Sequence, residues 1–341
     1  MSGVLAPGKD APQISVITPT FNRLDLLRET IASVQAQHFA AWEMIVVDDG
    51  SSDGTQEALA GIAKADPRIR FVQCEGAAKG GNVCRNLGLG AARSDLIVFL
   101  DSDDVLLPHC LGGRVAMMGR NQDLDFAVYP AGIFFKQPGD CDLAYHAMRP
   151  GDDLLRFLSH ECVWEITGPV WRSCFLAGIG GFDESLKSMQ DLDLHVRAIV
   201  AGGRYLFVCD TDHMIRGHDD PGRTSMRHFR DPEMYRSSEA LRAKLAALVS
   251  QAGLMTWTRR RAMLGLSFSA SELWAGAGGL ANALASWSRG CALHKASLGL
   301  RLEGAALLVL TALRLPTRRL IGRWSGARRL RPEPVPIELL D

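Results

Sequence analysis

Apolar positions along this chain follow two periods that take turns. Ile14-Ser-Val-Ile-Thr18, stopped by Pro19, reads as a strand, and apolar residues at Leu24, Leu27, Ile31 and Val34 then predict a helix over 24–37 with one buried face. The alternation continues. Met44 to Val47 is a second strand, Ser52 or Asp53 can cap a helix through Lys64, and Ile69 to Val72 is a third strand. Asn82 to Ala92 is a helix led by Gly80-Gly81, and Leu96 to Leu100 is a strand apolar enough for burial on both faces of a parallel sheet. Strand and helix at this spacing predict an α/β fold with a doubly wound parallel sheet and right-handed crossovers.

Further on the pattern is looser. A helix from Pro108 to about Met118, strands over 125–129 and 133–135, and a helix over 152–158 are expected, while 164–171 fits neither period. A glycine-rich turn, Gly178 to Glu184, precedes a helix over 189–201. Its core face is Leu192, Val196 and Ile199, and Asp191 and His195 share a different face. A strand over 205–209 and a polar loop from His213 to Ser225 close this part. From Asp231 on the period is helical, with helices expected over 234–250, 256–274, 280–288 and 294–313. The chain therefore divides into an α/β part, 1–230, and an all-α part, 231–341.

Charge sharpens that division. The 38 basic and 38 acidic residues cancel, but residues 1–230 hold 22 basic against 30 acidic and residues 231–341 hold 16 against 8. No nucleic-acid partner is expected. The eight cysteines form no C-x-x-C pair and the N-terminus lacks a basic-then-apolar leader, so a reducing cytosol is expected, with thiols serving as small buried hydrophobes. No apolar run reaches the ~18 residues of a spanning helix. Residues 314–331 carry seven arginines and no acid, interleaved with Leu315, Leu320, Ile321, Trp324 and Leu330. Such a segment suits peripheral contact with an anionic membrane surface on the cytoplasmic side; a solvated basic tail is the plainer reading.

Two of the strands run straight into acids: Asp48-Asp49 after the second, and Asp101-Ser-Asp-Asp104 after Leu100. The C-terminal edge of an open α/β sheet is where ligands bind, and three carboxylates within four residues repel one another unless a cation or solvent answers them. Oxygen-only ligands on a short loop suit Mg²⁺ or Mn²⁺ carrying a phosphate-bearing substrate. A solvated turn is the alternative. An EF-hand is disfavoured, because Leu106 stands where that loop needs glycine.

Five stretches in order carry a resemblance. Ile14-Ser-Val-Ile-Thr-Pro-Thr-Phe-Asn22, Ile45-Val-Val-Asp-Asp-Gly-Ser-Ser-Asp-Gly54, Arg85-Asn-x-Gly88, Phe99-Leu-Asp-Ser-Asp-Asp104, and Gly181-Phe-Asp-Glu184 with Gln190-Asp-Leu-Asp-Leu194 resemble the bacterial family 2 inverting glycosyltransferases. The likeness runs from about Ile14 to about Ser225. It implies a Rossmann-like, mostly parallel sheet flanked by helices (the nucleotide-diphospho-sugar transferase, or A-type glycosyltransferase, fold), a divalent metal, and inversion at the donor's anomeric carbon. Thr18, Pro19, Thr20 and Asn22 would line the nucleoside pocket. Asp49 would accept from the base while Asp48 and Gly50 shape the turn, and Arg85 would face the diphosphate or base. Asp101 and Asp103 match the D-x-D pair, with Asp103 the metal ligand, Asp101 nearer the ribose and sugar, and Ser102 between them on the donor side. Asp191 matches the general base. His218, in Arg216-Gly-His-Asp-Asp-Pro-Gly-Arg-Thr-Ser225, is a further metal or phosphate candidate, or a surface histidine. Arg223 could clamp phosphates or pair with Asp219 or Asp220, and Trp164 and Trp171 could stack on sugars or fill the core.

The implied activity is transfer of a sugar from a nucleotide-diphosphate donor, UDP favoured, to a hydroxyl of a growing surface glycan or lipid-linked acceptor. One position departs: the family usually has Glu before the general base, and here Gln190 stands there. Two other functions compete. A nucleotidyltransferase would carry a glycine-rich, basic phosphate loop after the first strand, where this chain has Pro19-Thr-Phe-Asn-Arg23. A donor-binding scaffold without turnover draws its support from Gln190 alone.

Overall fold

The computed structural model describes residues 11–76, 79–145, 149–217, 232–276 and 279–315, with a short strand at 335–336. The first half alternates as its periods predict: β1 (Ile14–Thr20), α1 (Leu24–Gln35), β2 (Trp42–Asp48), α2 (Thr55–Ala65), β3 (Ile69–Gln73), α3 (Gly81–Ala91) and β4 (Leu96–Phe99). Then follow β5 (Val105–Leu106), α4 (Cys110–Arg120), β6 (Phe126–Val128), β7 (Ala131–Phe134), β8 (Leu143–Ala144) and α5 (Asp153–Leu158). Beyond these come β9 (Pro169–Arg172), α6 (Ser173–Gly178), α7 (Gln190–Val200), β10 (Tyr205–Phe207) and β11 (His213–Arg216).

A seven-stranded sheet in the order β10-β6-β9-β4-β1-β2-β3 forms the centre. It is parallel except at β9, which runs antiparallel to both β4 and β6. Thr20 sits opposite Asp48, and Ile17 opposite Phe99, so the C-terminal ends of β1, β2 and β4 meet at one edge. All seven residues of β2 are buried, which is what a strand covered by helices on both faces requires. Helix α3 lies unusually close to β1: a Cβ at Gly88 would come 2.3 Å from Ile17 Cγ2, so only glycine fits.

A second sheet, ordered β12-β8-β7-β11-β5, stands beside the first, with β12 at Val335–Pro336. The polar loop expected from His213 starts instead with this buried strand β11, parallel to β7 and antiparallel to β5. Its polarity is answered by counter-charges from distant parts of the chain. His213 Nε2 lies 2.7 Å from Glu165 and its Nδ1 2.8 Å from Asp212, and Arg114 grips Asp212 through two hydrogen bonds of 2.7 and 2.8 Å. Burial opposes the charge on His213, but Glu165 and Asp212 outweigh it and raise its proton affinity. The stretch 164–171 also resolves: Trp164 and Trp171 are core residues, fully buried around Phe126, and β9 begins at Pro169. His195 joins them. It stacks on Trp171, and burial lowers it to about 3, so it is neutral.

The helical part comprises α8 (Pro232–Gln251), α9 (Trp257–Gly276), α10 (Leu280–Leu293) and α11 (Leu298–Ala312), which begins four residues later than its period predicts, behind the Ser297 cap. Helix α8 adds Leu241, Leu245 and Val249 to the cluster that holds Leu194 and Val196 of α7. Helices α9 to α11 pack around Phe268 and Trp287, whose indole N–H donates to Arg301 O at 2.9 Å. None of the described helices is long and apolar enough to cross a membrane. None of the eight cysteines is in a disulfide, and Cys74, Cys84, Cys110 and Cys291 are buried.

Candidate active site

The sheet edge gathers the acids from three loops. At the end of β1, Thr18 and Thr20 are buried, and their hydroxyls have no hydrogen-bond partner among the described residues. Unpaired buried hydroxyls are costly, so these point to a polar ligand. Pro19 is half-buried between them. Asn22 takes a left-handed backbone with φ 49. It clips two loops together, accepting from Ser52 N at 2.7 Å and donating its own N–H to Ser51 Oγ at 2.9 Å.

Asp48 and Asp49 divide the work of the β2 loop. The buried Asp48 carboxylate takes Ser51 N at 3.2 and 3.1 Å and Gln56 Nε2 at 2.9 Å, so it is committed to the turn. That turn passes through Gly50 at φ 91, a conformation glycine adopts without strain. Asp49 is half-buried, its Oδ2 taking Gly80 N at 2.9 Å with Lys79 Nζ 3.8 Å from Oδ1. Beside it, burial and then the Asp49 charge push the Cys84 thiol up to about 12, leaving it protonated.

The β4 loop carries the densest charge. Asp101 is partly exposed and receives Arg85 Nη2 at 2.5 Å; Asp103 is buried and receives Arg23 Nη1 at 3.1 Å. Ser102 is buried between them. Asp104, also buried, accepts from Arg216 N at 2.9 Å. Oxygens of Asp101, Asp103 and Asp104 all lie within 4.8 Å of one another. Burial, then Asp103, then Asp101 hold the Asp104 carboxyl well above its ordinary range. Arg216 braces the loop from below: its Nε donates to Asp103 O at 3.1 Å and its guanidinium pairs with Glu29.

Asp191 stands in the first turn of α7, just after Met189, which sits in the left-handed region at φ 58. Its Oδ1 accepts from Leu192 N at 2.8 Å, which leaves Oδ2 for another partner. The residue keeps some solvent access, yet protein atoms crowd its carboxyl, and burial raises its pKa against the pull of Leu192 N–H and Arg85 and with the push of Asp101. Asp191 thus belongs to the same electrostatic neighbourhood as the Arg85–Asp101 pair. Gln190 opens the helix. Three residues on, Asp193 is fully buried, held by Arg197 Nε at 2.8 Å and Lys244 Nζ at 2.7 Å; the same ammonium reaches Asp183 Oδ2 at 2.6 Å.

The structure thus brings Thr18, Pro19, Thr20, Asn22, Asp48, Asp49, Arg85, Asp101, Ser102, Asp103 and Asp191 to one edge. His218 and Arg223 lie outside the described residues, as does the arginine-rich segment beyond Leu315. Sequence reasoning gave no role to Arg23, Lys79 and Arg216, and counted Asp104 in the acidic stretch without a role of its own. Arg23 and Asp104 directly follow motif residues and were findable; Lys79 and Arg216 reach the site only through the fold.

A family model for glycosyl transferase family 2 matches residues 15–160. A putative colanic acid biosynthesis glycosyl transferase of Escherichia coli K12 is 30% identical over 203 residues, which cover 57% of this chain and 69% of that relative. This chain belongs to glycosyltransferase family 2. A Campylobacter jejuni family relative, GalNAc(5)-diNAcBac-PP-undecaprenol beta-1,3-glucosyltransferase, is 43% identical over 100 residues, 29% of this chain. The matches span 32%, 36% and 42% of the lengths of the first three relatives. The crystal structure of Staphylococcus aureus TarS 1-349 in complex with UDP-GlcNAc superposes with a TM-score of 0.61 at 17% identity, covering 93% of this chain and 90% of that one. The α/β sheet with helices on its faces is therefore that of the A-type glycosyltransferases, with a helical C-terminal region.

Proposed function

We propose that this family 2 protein is a metal-dependent inverting glycosyltransferase that moves a hexose from a nucleotide-diphosphate donor, UDP favoured, to a hydroxyl of a surface polysaccharide or lipid-linked glycan. The observation that carries the reading is the convergence of Arg85, Asp101, Asp103 and Asp191 at the C-terminal edge of one parallel sheet. Residues 1–230 would hold this chemistry and residues 231–341 would serve as an appended helical region.

The donor set fits a hard divalent cation: carboxylate oxygens within 4.8 Å, with one carboxyl pushed up by its two neighbours, are a repulsion that Mg²⁺ or Mn²⁺ would relieve. Bound by Asp103 and Asp101, the cation would neutralise charge on the departing diphosphate. The chain's own residues do the rest. Thr18, Pro19, Thr20 and Asn22 would form the nucleoside wall, with the orphan hydroxyls of Thr18 and Thr20 as donors, and Asp49 would accept from the base. Arg85 would turn its guanidinium between Asp101 and the diphosphate, giving hydrogen bonds where negative charge develops. Asp191 Oδ2 would accept the proton of the acceptor hydroxyl while the new C–O bond forms on the face opposite the breaking bond to diphosphate. Inversion follows from that geometry. Support for a lipid-linked acceptor comes from the undecaprenol-linked substrate in the Campylobacter relative's name; work on such an acceptor would place the protein at the cytoplasmic face of a membrane, with residues 314–331 in contact with it.

The test is release of free nucleoside diphosphate from a panel of nucleotide sugars, with Mn²⁺, Mg²⁺ or chelator, for wild type and Asp103→Ala. Metal-dependent release from one donor, lost in the variant, is expected. Release that persists in chelator and in Asp103→Ala would overturn the reading.

A further inference from the structure

Helix α11 is apolar on both sides. Its inward side, Gly304, Leu307 and Leu308, is buried in the helical core. On the outward side Leu298 is 71% exposed and Leu302 62%, and Leu313, just past the helix, is 63% exposed. Exposed Ala306 and half-buried Val309 fill the gaps between them. At ~100° per residue these five positions fall within roughly 80° of arc, directly opposite the buried side. They form one continuous stripe. A helix apolar on two opposite sides needs protein or lipid against each, and among the described residues nothing covers the outer one.

The charges around the stripe identify what covers it. Lys295, Arg301 and Arg314 are all exposed beside it, against the single acid Glu303, and the sequence continues from Arg314 with six more arginines and no acid through Arg331. Leucines rimmed by cations match an anionic lipid surface, where aliphatic side chains enter the acyl boundary and guanidiniums meet phosphates. Fifteen residues at ~1.5 Å rise reach about 22 Å, short of the ~30 Å hydrocarbon core, so the helix lies in the interface and does not span it. We propose that α11 is a membrane-docking face that lies flat on anionic lipid through Leu298, Leu302, Ala306, Val309 and Leu313.

The inference is independent of the sugar chemistry at the sheet edge, and its test can fail separately. The full chain is mixed with phosphatidylcholine vesicles, with and without phosphatidylglycerol, and sedimented; its association state is measured by analytical ultracentrifugation without lipid. Wild type is expected to pellet with the anionic vesicles and stay in solution with phosphatidylcholine alone. L298S/L302S/L313S should lose about tenfold or more of that partitioning, the order expected for withdrawing several aliphatic side chains from an interface, while nucleotide binding is unchanged. Arg301→Gln with Arg314→Gln should weaken binding to anionic vesicles at low salt. The proposal is overturned if wild type ignores anionic vesicles, if the triple variant partitions as wild type does, or if wild type is a dimer that the triple variant converts to monomer. The last result would assign the stripe to a second copy of the chain.

Discussion

Replacing Asp191 with asparagine separates activity from stability. The carboxyl is raised chiefly by burial, so its ionised form is less at home in the folded protein than in the unfolded chain. At neutral pH that charge costs stability, and the cost disappears as pH falls through the raised value. Asparagine has nearly the same shape, can still accept Leu192 N–H through its carbonyl oxygen, and carries no charge to desolvate. Asp191→Asn should therefore unfold at the same temperature as wild type or higher. Turnover should fall by about 10² to 10⁴, the usual contribution of a positioned base. At ~1.36 kcal/mol per decade this is about 2.7 to 5.4 kcal/mol of barrier. The wild-type rate should rise with pH through a pKa raised from the carboxyl's ordinary value by burial, and the variant should lack that limb. Nucleoside diphosphate release with acceptor present, beside thermal unfolding at pH 7, measures both quantities. A variant that keeps turnover within tenfold of wild type, or loses turnover and stability together, would refute the assignment.

Two other substitutions probe what holds the site in place. Gly88→Ala forces a methyl group into Ile17 where α3 crosses β1, and should destabilise by about 1–3 kcal/mol in denaturant unfolding. Lys244→Met leaves the buried Asp193 to Arg197 alone and should cost about 1–3 kcal/mol, less than a fully buried pair because the ammonium is partly exposed. It should also change acid stability. Burial raises Asp183, but Lys244 and Ser185 outweigh it and bring it to about 2, so the stability this pair adds is present above the unfolded value near ~3.9 and is lost as pH falls through about 2. In Lys244→Met that acid-sensitive portion should be missing from the unfolding profile.

The first half of the molecule was legible because its information is local. Each strand from β1 to β4 is a short, mainly apolar segment, each helix between them keeps one apolar face, and acids stand at the ends of β2 and β4, so both the sheet and the site edge follow from short windows of sequence. Legibility ended where a residue's environment comes from far along the chain. The segment from His213 to Arg216 reads as a polar loop until Glu165 and Arg114 are placed beside it. Arg216 supports the acids from 112 residues away, so no window could pair it with Asp104. Trp164 and Trp171, offered as sugar platforms or core, are core because Phe126 and Phe157 close around them.

The strand at Val335–Pro336 pairs with Leu143–Ala144, and so ties the order of synthesis to the order of assembly. The second sheet cannot be finished until Pro336 has left the ribosome, although β5 and β11, which flank the acidic loop, are made long before. Pairing across that sequence distance is slow, because a long loop must close first. Meanwhile β8 presents a bare edge of the kind that recruits other strands. A nascent or C-terminally shortened chain would carry that edge uncovered, and aggregation in such chains should begin there.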